Sequence, residues 1–165
     1  PAGKVPVLMH GSLAIWESLA IAEYLAELAP DQNMWPADAG HRARARAVST
    51  EMATGFFGLR NQFPMNIRRR VEGLVPTPEA ERDIARILSI WRDCRESAEA
   101  GPYLFGAFSI ADVMYAPVVF RFQGYGIEPD AVGRQYMDAM LANEWIKEWV
   151  AAALTEPWIV DEDEV

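Results

Sequence analysis

Residues 4–28 read KVPVLMHGSLAIWESLAIAEYLAEL, and this stretch decides the fold. A Val-Pro pair stands inside an apolar run, followed by a tight turn at residues 10–12, a second apolar run, and a Glu-Ser pair that opens a helix. Proline has no N–H to give a sheet ladder and pushes the preceding residue into extended geometry, so Pro6 belongs at a strand start or edge. A cis Val5-Pro6 bond would leave the Val5 backbone groups open to an outside partner. Residues 13–16, LAIW, read as a strand. Ser18 is expected to cap a helix over 19–28, whose apolar face is Leu19, Ile21, Ala22, Leu25 and Leu28 and which Pro30 stops. Free N–H groups at such a helix start attract an anion, and the Glu17 carboxylate beside them suits an ammonium. A carboxylate and an amine wanted together describe the head group of an α-amino acid. His10 is expected to be a solvated turn residue.

Outward from this stretch, the chain has 165 residues, about half of them apolar, and a net charge of −9. Such acidity argues against a nucleic-acid groove or an anionic membrane as the main partner. No apolar run approaches the roughly 18 residues that span a bilayer, and no signal peptide is read. One cysteine excludes an internal disulfide and fits a reducing cytoplasm; two separated histidines give no metal pattern. The chain opens PAGK and runs straight into a strand, so earlier strands are expected upstream.

Residues 29–37, APDQNMWPA, break the pattern, and the expected organisation is an α/β part at 1–29, a linker at 30–37 and an all-helical part at 38–165. Asp38 is expected to cap a helix from 39 to about 63, closed by Pro64. Its HRARARA opening reads as a solvated face, and Gly55 and Gly58 are tolerable if a ligand or helix packs closely there. Arg68, Arg69 and Arg70 read as dipole compensation at a helix end. Thr77-Pro78-Glu79 is a strong helix start for an amphipathic segment reaching about 100. Cys94 falls on its apolar stripe and reads as an inert buried thiol.

Ser109 and Asp112 have capping-box spacing before a helix that is apolar on nearly every side and holds Pro117, which implies a kink. Asp112 is read as structural, spent on backbone N–H groups. Two shorter helices follow, at about 130–141 and 144–154. Pro157-Trp158-Ile159 is expected to fold back on the bundle and the tail 161–164 to be solvated.

Together, GKVPVL at 3–8, WESLAIAEYLAE at 16–27 and FSIADVMYAPV at 108–118 resemble the cytosolic glutathione transferases, and FFGLRNQFPMNIRR at 56–69 looks like their bacterial members. The resemblance implies an α+β chain: the third and fourth strands and third helix of a thioredoxin-like domain, then an all-α bundle. It implies a Val5 backbone that pairs with the cysteinyl part of glutathione after a cis Pro6. Glu17 and Ser18 then hold the γ-glutamyl end, with Lys4 close by. Met52, Phe56 and Arg60 are candidates for a pocket taking a small hydrophobic electrophile, on helical spacing. The box at Ser109 and Asp112 matches the family's folding element. The catalytic Tyr, Ser or Cys is expected upstream of Pro1, so the 165-residue chain is expected to be inactive alone.

Glutathione is then a cosubstrate, no metal takes part, and the protein is a cytoplasmic homodimer that conjugates glutathione to electrophiles. The alternatives are a glutathione-dependent isomerase of the maleylacetoacetate type and a non-catalytic relative used for binding or assembly.

Overall fold

In the computed structural model, residues 3–98, 100–161 and 164 are described. Pro1 and Ala2, where the chain opens, and Glu162 and Asp163 of the acidic tail lie outside the described residues, as do Glu99 and Val165. Two antiparallel strands, β1 (Val7–His10) and β2 (Leu13–Trp16), pair with Val7 opposite Trp16 and His10 opposite Leu13. The turn at Gly11 takes a positive φ of 60°, which glycine adopts without a Cβ penalty. Helix α1 (Ser18–Leu28) follows directly, and Pro30 opens a short 3₁₀ turn.

Asp38 caps α2 (Ala39–Thr54) by accepting the His41 N–H at 2.8 Å. The long helix expected to reach residue 63 ends early: Gly55 is extended, Phe56 is left-handed at φ 57°, and a separate α3 runs Phe57–Gln62. Crowding explains the glycine, since a Cβ at Gly55 would lie 2.8 Å from the Glu51 carbonyl oxygen. Gly58 lets α3 lie against α4 (Pro78–Ser97); a Cβ there would meet the Glu79 carbonyl carbon at 2.6 Å. Asp83 of α4 accepts the Leu59 N–H and so caps the short helix from outside.

Thr77 accepts the Ala80 N–H and Pro78 stands at the first helical position, as the sequence predicts, although α4 ends at Ser97. Helix α5 (Ile110–Gly124) is the central one: ten of its residues are buried and Pro117 lies within it. Its capping box forms, with the Ser109 N–H and hydroxyl both donating to Asp112 Oδ2 at 2.8 and 3.0 Å. The Leu104 N–H adds a third bond to Oδ1 at 3.0 Å. Burial pushes the Asp112 carboxyl up to about 6, against the pull of these donors. Helices α6 (Ala131–Ala142) and α7 (Glu144–Thr155) are capped by Asp130 and Asn143.

Trp91, Tyr115, Phe122 and Tyr136 pack edge-on or tilted at the middle of the core. Cys94 is fully buried beneath them, its thiol pushed up to about 11 by that burial. Among the described residues, no helix is long and apolar enough to cross a membrane.

Candidate functional site

The hairpin register decides what meets what at the start of α1. With Val7 opposite Trp16 at the open end of the hairpin, the chain enters β1 through Val5 and Pro6 and leaves β2 through Glu17 and Ser18 at that same end. The Val5-Pro6 bond is cis, and Val5 is 93% exposed. Lys4 precedes it on the same exposed approach. The two halves singled out in the sequence therefore share one end of the sheet.

Ser18 does not cap the helix. It is the first helical residue, and Glu17 holds the cap position with φ 69° and ψ 122°, with no cap bond from its side chain. The first helical hydrogen bond runs from Ile21 N to Glu17 O, which leaves the N–H groups of residues 18–20 without an intrahelical acceptor. A positive φ is uncommon for a residue with a Cβ and is held only where the surroundings demand it, most often at binding or catalytic positions. The result is an exposed helix start with free donors, an exposed carboxylate and an exposed strand end converging. Chemically this suits a ligand that carries both an anionic and a cationic group.

Further down the hairpin, His10 is not simply a solvated turn residue: its Nδ1 lies 2.7 Å from the Tyr24 hydroxyl of α1. A bidentate pair, Arg46 to Glu23 at 2.6 and 3.1 Å, ties α1 to α2, and the Arg46 guanidinium also lies over Trp35. Arg46 holds the Glu23 carboxyl below its usual range. The HRARARA segment is thus not a merely solvated face. Residues two apart on a helix point to opposite sides, so Arg42 and Arg46 turn toward the linker and α1 while Arg44 turns to Asp93 of α4.

The electrophile-pocket candidates are divided by the end of α2. Met52 and Phe56 are buried in the bundle core at 5% and 7% exposure, and the break at Gly55 parts Met52 from Phe56 and Arg60, which stay joined by the bond from Arg60 N–H to the Phe56 carbonyl at 2.9 Å. Arg60 turns back onto the Ala53 and Gly55 carbonyls and the Phe57 ring. Asp112 is fully buried within its capping box, away from solvent.

Arg68, Arg69 and Arg70 lie in the loop beyond Pro64 and not at the end of a helix of their own, and the helix end that Arg68 reaches is the Glu156 C-cap of α7. Arg68 donates to the Glu156 and Trp158 carbonyls, and Arg69 pairs with Glu164 at 3.0 Å. The tail is therefore tied rather than solvated at Glu164, whose carboxyl is held low by Asn66 and Arg69. The chain after α7 does turn back through its backbone, but the Trp158 and Ile159 side chains stay exposed. Among the described residues, no group of three or more His, Cys, Asp or Glu could hold a metal ion.

Against known proteins, the model for the glutathione S-transferase C-terminal domain matches residues 43–152, and that for the N-terminal domain matches residues 1–27. A probable maleylacetoacetate isomerase of Caenorhabditis elegans is 30% identical over 129 residues, covering 78% of this chain and 60% of that protein. Glutathione S-transferase GstB of Escherichia coli K12 is 29% identical over 138 residues, covering 77% and 62%. The chain thus spans about 60% of the length of these curated relatives. Among solved structures, a maleylacetoacetate isomerase from Anaeromyxobacter dehalogenans 2CP-1 superposes with a TM-score of 0.70 at 25% identity, over 96% of this chain and 76% of that one. A glutathione transferase homolog from Burkholderia gl BGR1, with bound glutathione, gives 0.68 at 24% identity over 93% and 74%, a likeness of fold.

Proposed function

The chain belongs to the glutathione S-transferase family, and from that premise we propose that the end of the hairpin is a glutathione site serving glutathione transfer to electrophiles. The observation that carries the reading is Glu17, held at φ 69° over an uncapped helix start at the same end of the hairpin as Val5. The Val5 backbone would pair with the cysteinyl part of the tripeptide. The N–H and hydroxyl of Ser18 would take its γ-glutamyl carboxylate, the Glu17 carboxylate its ammonium, and Lys4 would lie within reach of the bound ligand. A small hydrophobic electrophile and a second copy of the chain complete the partners.

Calorimetric titration with glutathione tests the site. Glu17→Ala or Ser18→Ala should weaken binding by about 1.5–3 kcal/mol, the worth of one charge-assisted hydrogen bond, with little change in thermal stability. Binding that neither substitution weakens would refute the assignment.

The maleylacetoacetate isomerases among the relatives favour a second reading, isomerisation with glutathione as a catalyst. Thiol counting separates the two: transfer consumes one glutathione thiol per turnover, whereas isomerisation of maleylacetoacetate returns it.

A further inference from the structure

A cavity of about 250 Å³ lies between the linker at 33–38, the start of α2 and the loop at 100–109. Four rings line it, those of Trp35, His41, Phe105 and Phe108. The His41 and Phe105 rings stand tilted at 6.1 Å, and Phe108 is held against Tyr103 at 5.1 Å and Trp145 at 5.3 Å, so packing fixes these walls. Trp35 is buried, and the chain already lays the Arg46 guanidinium over its ring at 5.5 Å. The negative π-faces of such rings favour a cation over an anion.

The polar part of the lining points the same way. Among the described lining residues Asp38 is the only carboxylate, and no lysine or arginine joins it. Its Oδ1 accepts the His41 N–H at 2.8 Å, a bond that holds the carboxyl below its usual range, so the group is charged at neutral pH. That bond leaves most of the acceptor sites of a carboxylate open, and the side chain is 60% exposed. Asn33 turns its Nδ2 to the Asp31 carbonyl at 3.2 Å, which leaves Oδ1 to accept. Donors are fewer. At the two helix starts that border the cavity, the His41 N–H is on Asp38 and the Ile110 N–H is on the Met34 carbonyl at 2.9 Å. Arg42, the cation nearest to Asp38 along the chain, is spent on the Pro36 and Ala37 carbonyls.

We infer that this cavity is a binding site for a small arylalkyl ammonium, its charge on the carboxylate of Asp38 and Oδ1 of Asn33 and its ring among Trp35, Phe105 and Phe108. An acceptor-lined mouth repels an anion, and an uncharged ligand of the same shape gains only the contact with the walls. None of the lining residues belongs to residues 3–28, so the site stands apart from the end of the hairpin and does not rest on the glutathione reading.

The probe is 2-phenylethylammonium, with 2-phenylethanol as its uncharged match and 3-phenylpropanoate as its opposite in charge, each titrated onto the full chain at neutral pH and followed by ligand-observed NMR. The ammonium should bind one to one, at least fivefold more tightly than the alcohol, and the carboxylate should be the weakest of the three. Saturating glutathione should leave the ammonium affinity unchanged, which separates this site from the Glu17 carboxylate. Asp38→Asn should bring the ammonium down to the affinity of the alcohol and leave the alcohol unmoved; asparagine caps a helix as well as aspartate, so α2 is kept. Ala107→Phe, which narrows the cavity, should weaken both, with the helical circular-dichroism signal as the check on folding. No binding of the ammonium, equal or tighter binding of the alcohol or the carboxylate, indifference to Asp38→Asn, or displacement by glutathione would each overturn the assignment.

Discussion

Removing the Asp112 carboxylate should be among the most damaging single changes in this chain, and the size of the loss follows from its donors. The carboxylate accepts two buried backbone N–H groups, from Leu104 and Ser109, and the Ser109 hydroxyl. Asp112→Ala strands both backbone donors in a site with no solvent exposure. Each stranded buried donor costs about 1–3 kcal/mol, so the two together cost about 4 kcal/mol. The hydroxyl adds little because it is free to rotate to another acceptor. Against a typical total stability of about 5–15 kcal/mol this is a large share. With a urea slope of about 2 kcal/mol/M, the midpoint should fall by about 2 M.

Asp112→Asn keeps one acceptor but points an amide N–H at a donor, and should lose roughly half as much. The pH dependence adds a signed test. Burial raises the carboxyl to about 6 in the folded chain, above its ordinary value of 3.8. Between these values the native state holds a proton that the unfolded state has lost, so this group's contribution to stability falls as pH rises through that window. From pH 7.5 down to 5.5 the native protein should gain stability relative to Asp112→Asn, on the order of 1 kcal/mol, because Asn has no such proton. Urea unfolding followed by tryptophan fluorescence reads both quantities, since Trp91 sits 4.8 Å from the Tyr136 ring at the core centre. A loss below about 1 kcal/mol in Asp112→Ala, or a gap that narrows on acidification, would refute this account of the capping box.

Two further changes probe the packing. Gly58→Ala should lower the melting temperature by roughly 2–8 °C, because the new methyl meets the α4 backbone at 2.6–2.8 Å and overpacking of about 2–3 kcal/mol outweighs the gain of about 1 kcal/mol in helix propensity; an unchanged or raised melting temperature in a calorimetric scan would show that α3 shifts freely. Cys94 should resist a colorimetric thiol reagent in the native state and react at a rate that tracks the unfolded fraction in urea, since burial holds the thiol at about 11 and away from solvent.

What the sequence made legible was local. The caps at Asp38 and Thr77 and the box at Ser109 each need only a side chain three residues from its N–H partner, and each formed as read. The hairpin end was legible for the same reason, because a two-strand register is set by its own turn. Even there the cap was misplaced by one residue: Glu17 at φ 69° contradicts the ordinary preference that favours serine, and a departure of that kind is expected at a binding position.

The failures had a single physical origin, which was the use of intrahelical spacing where tertiary contacts decide. Gly55 and Gly58 were noticed, yet read as places for a close neighbour within one long helix. The first is instead a break, and Phe56 takes a left-handed conformation whose cost is offset by burying its ring in the core at 7% exposure. Once the helix breaks there, position 52 no longer shares one helical face with 56 and 60. The arginines failed in the same way. A run of three cations is symmetric in one dimension, but Arg68 meets carbonyls, Arg69 meets Glu164 and Arg70 turns to Gln123, partners 53 to 95 residues distant. No periodicity encodes such choices.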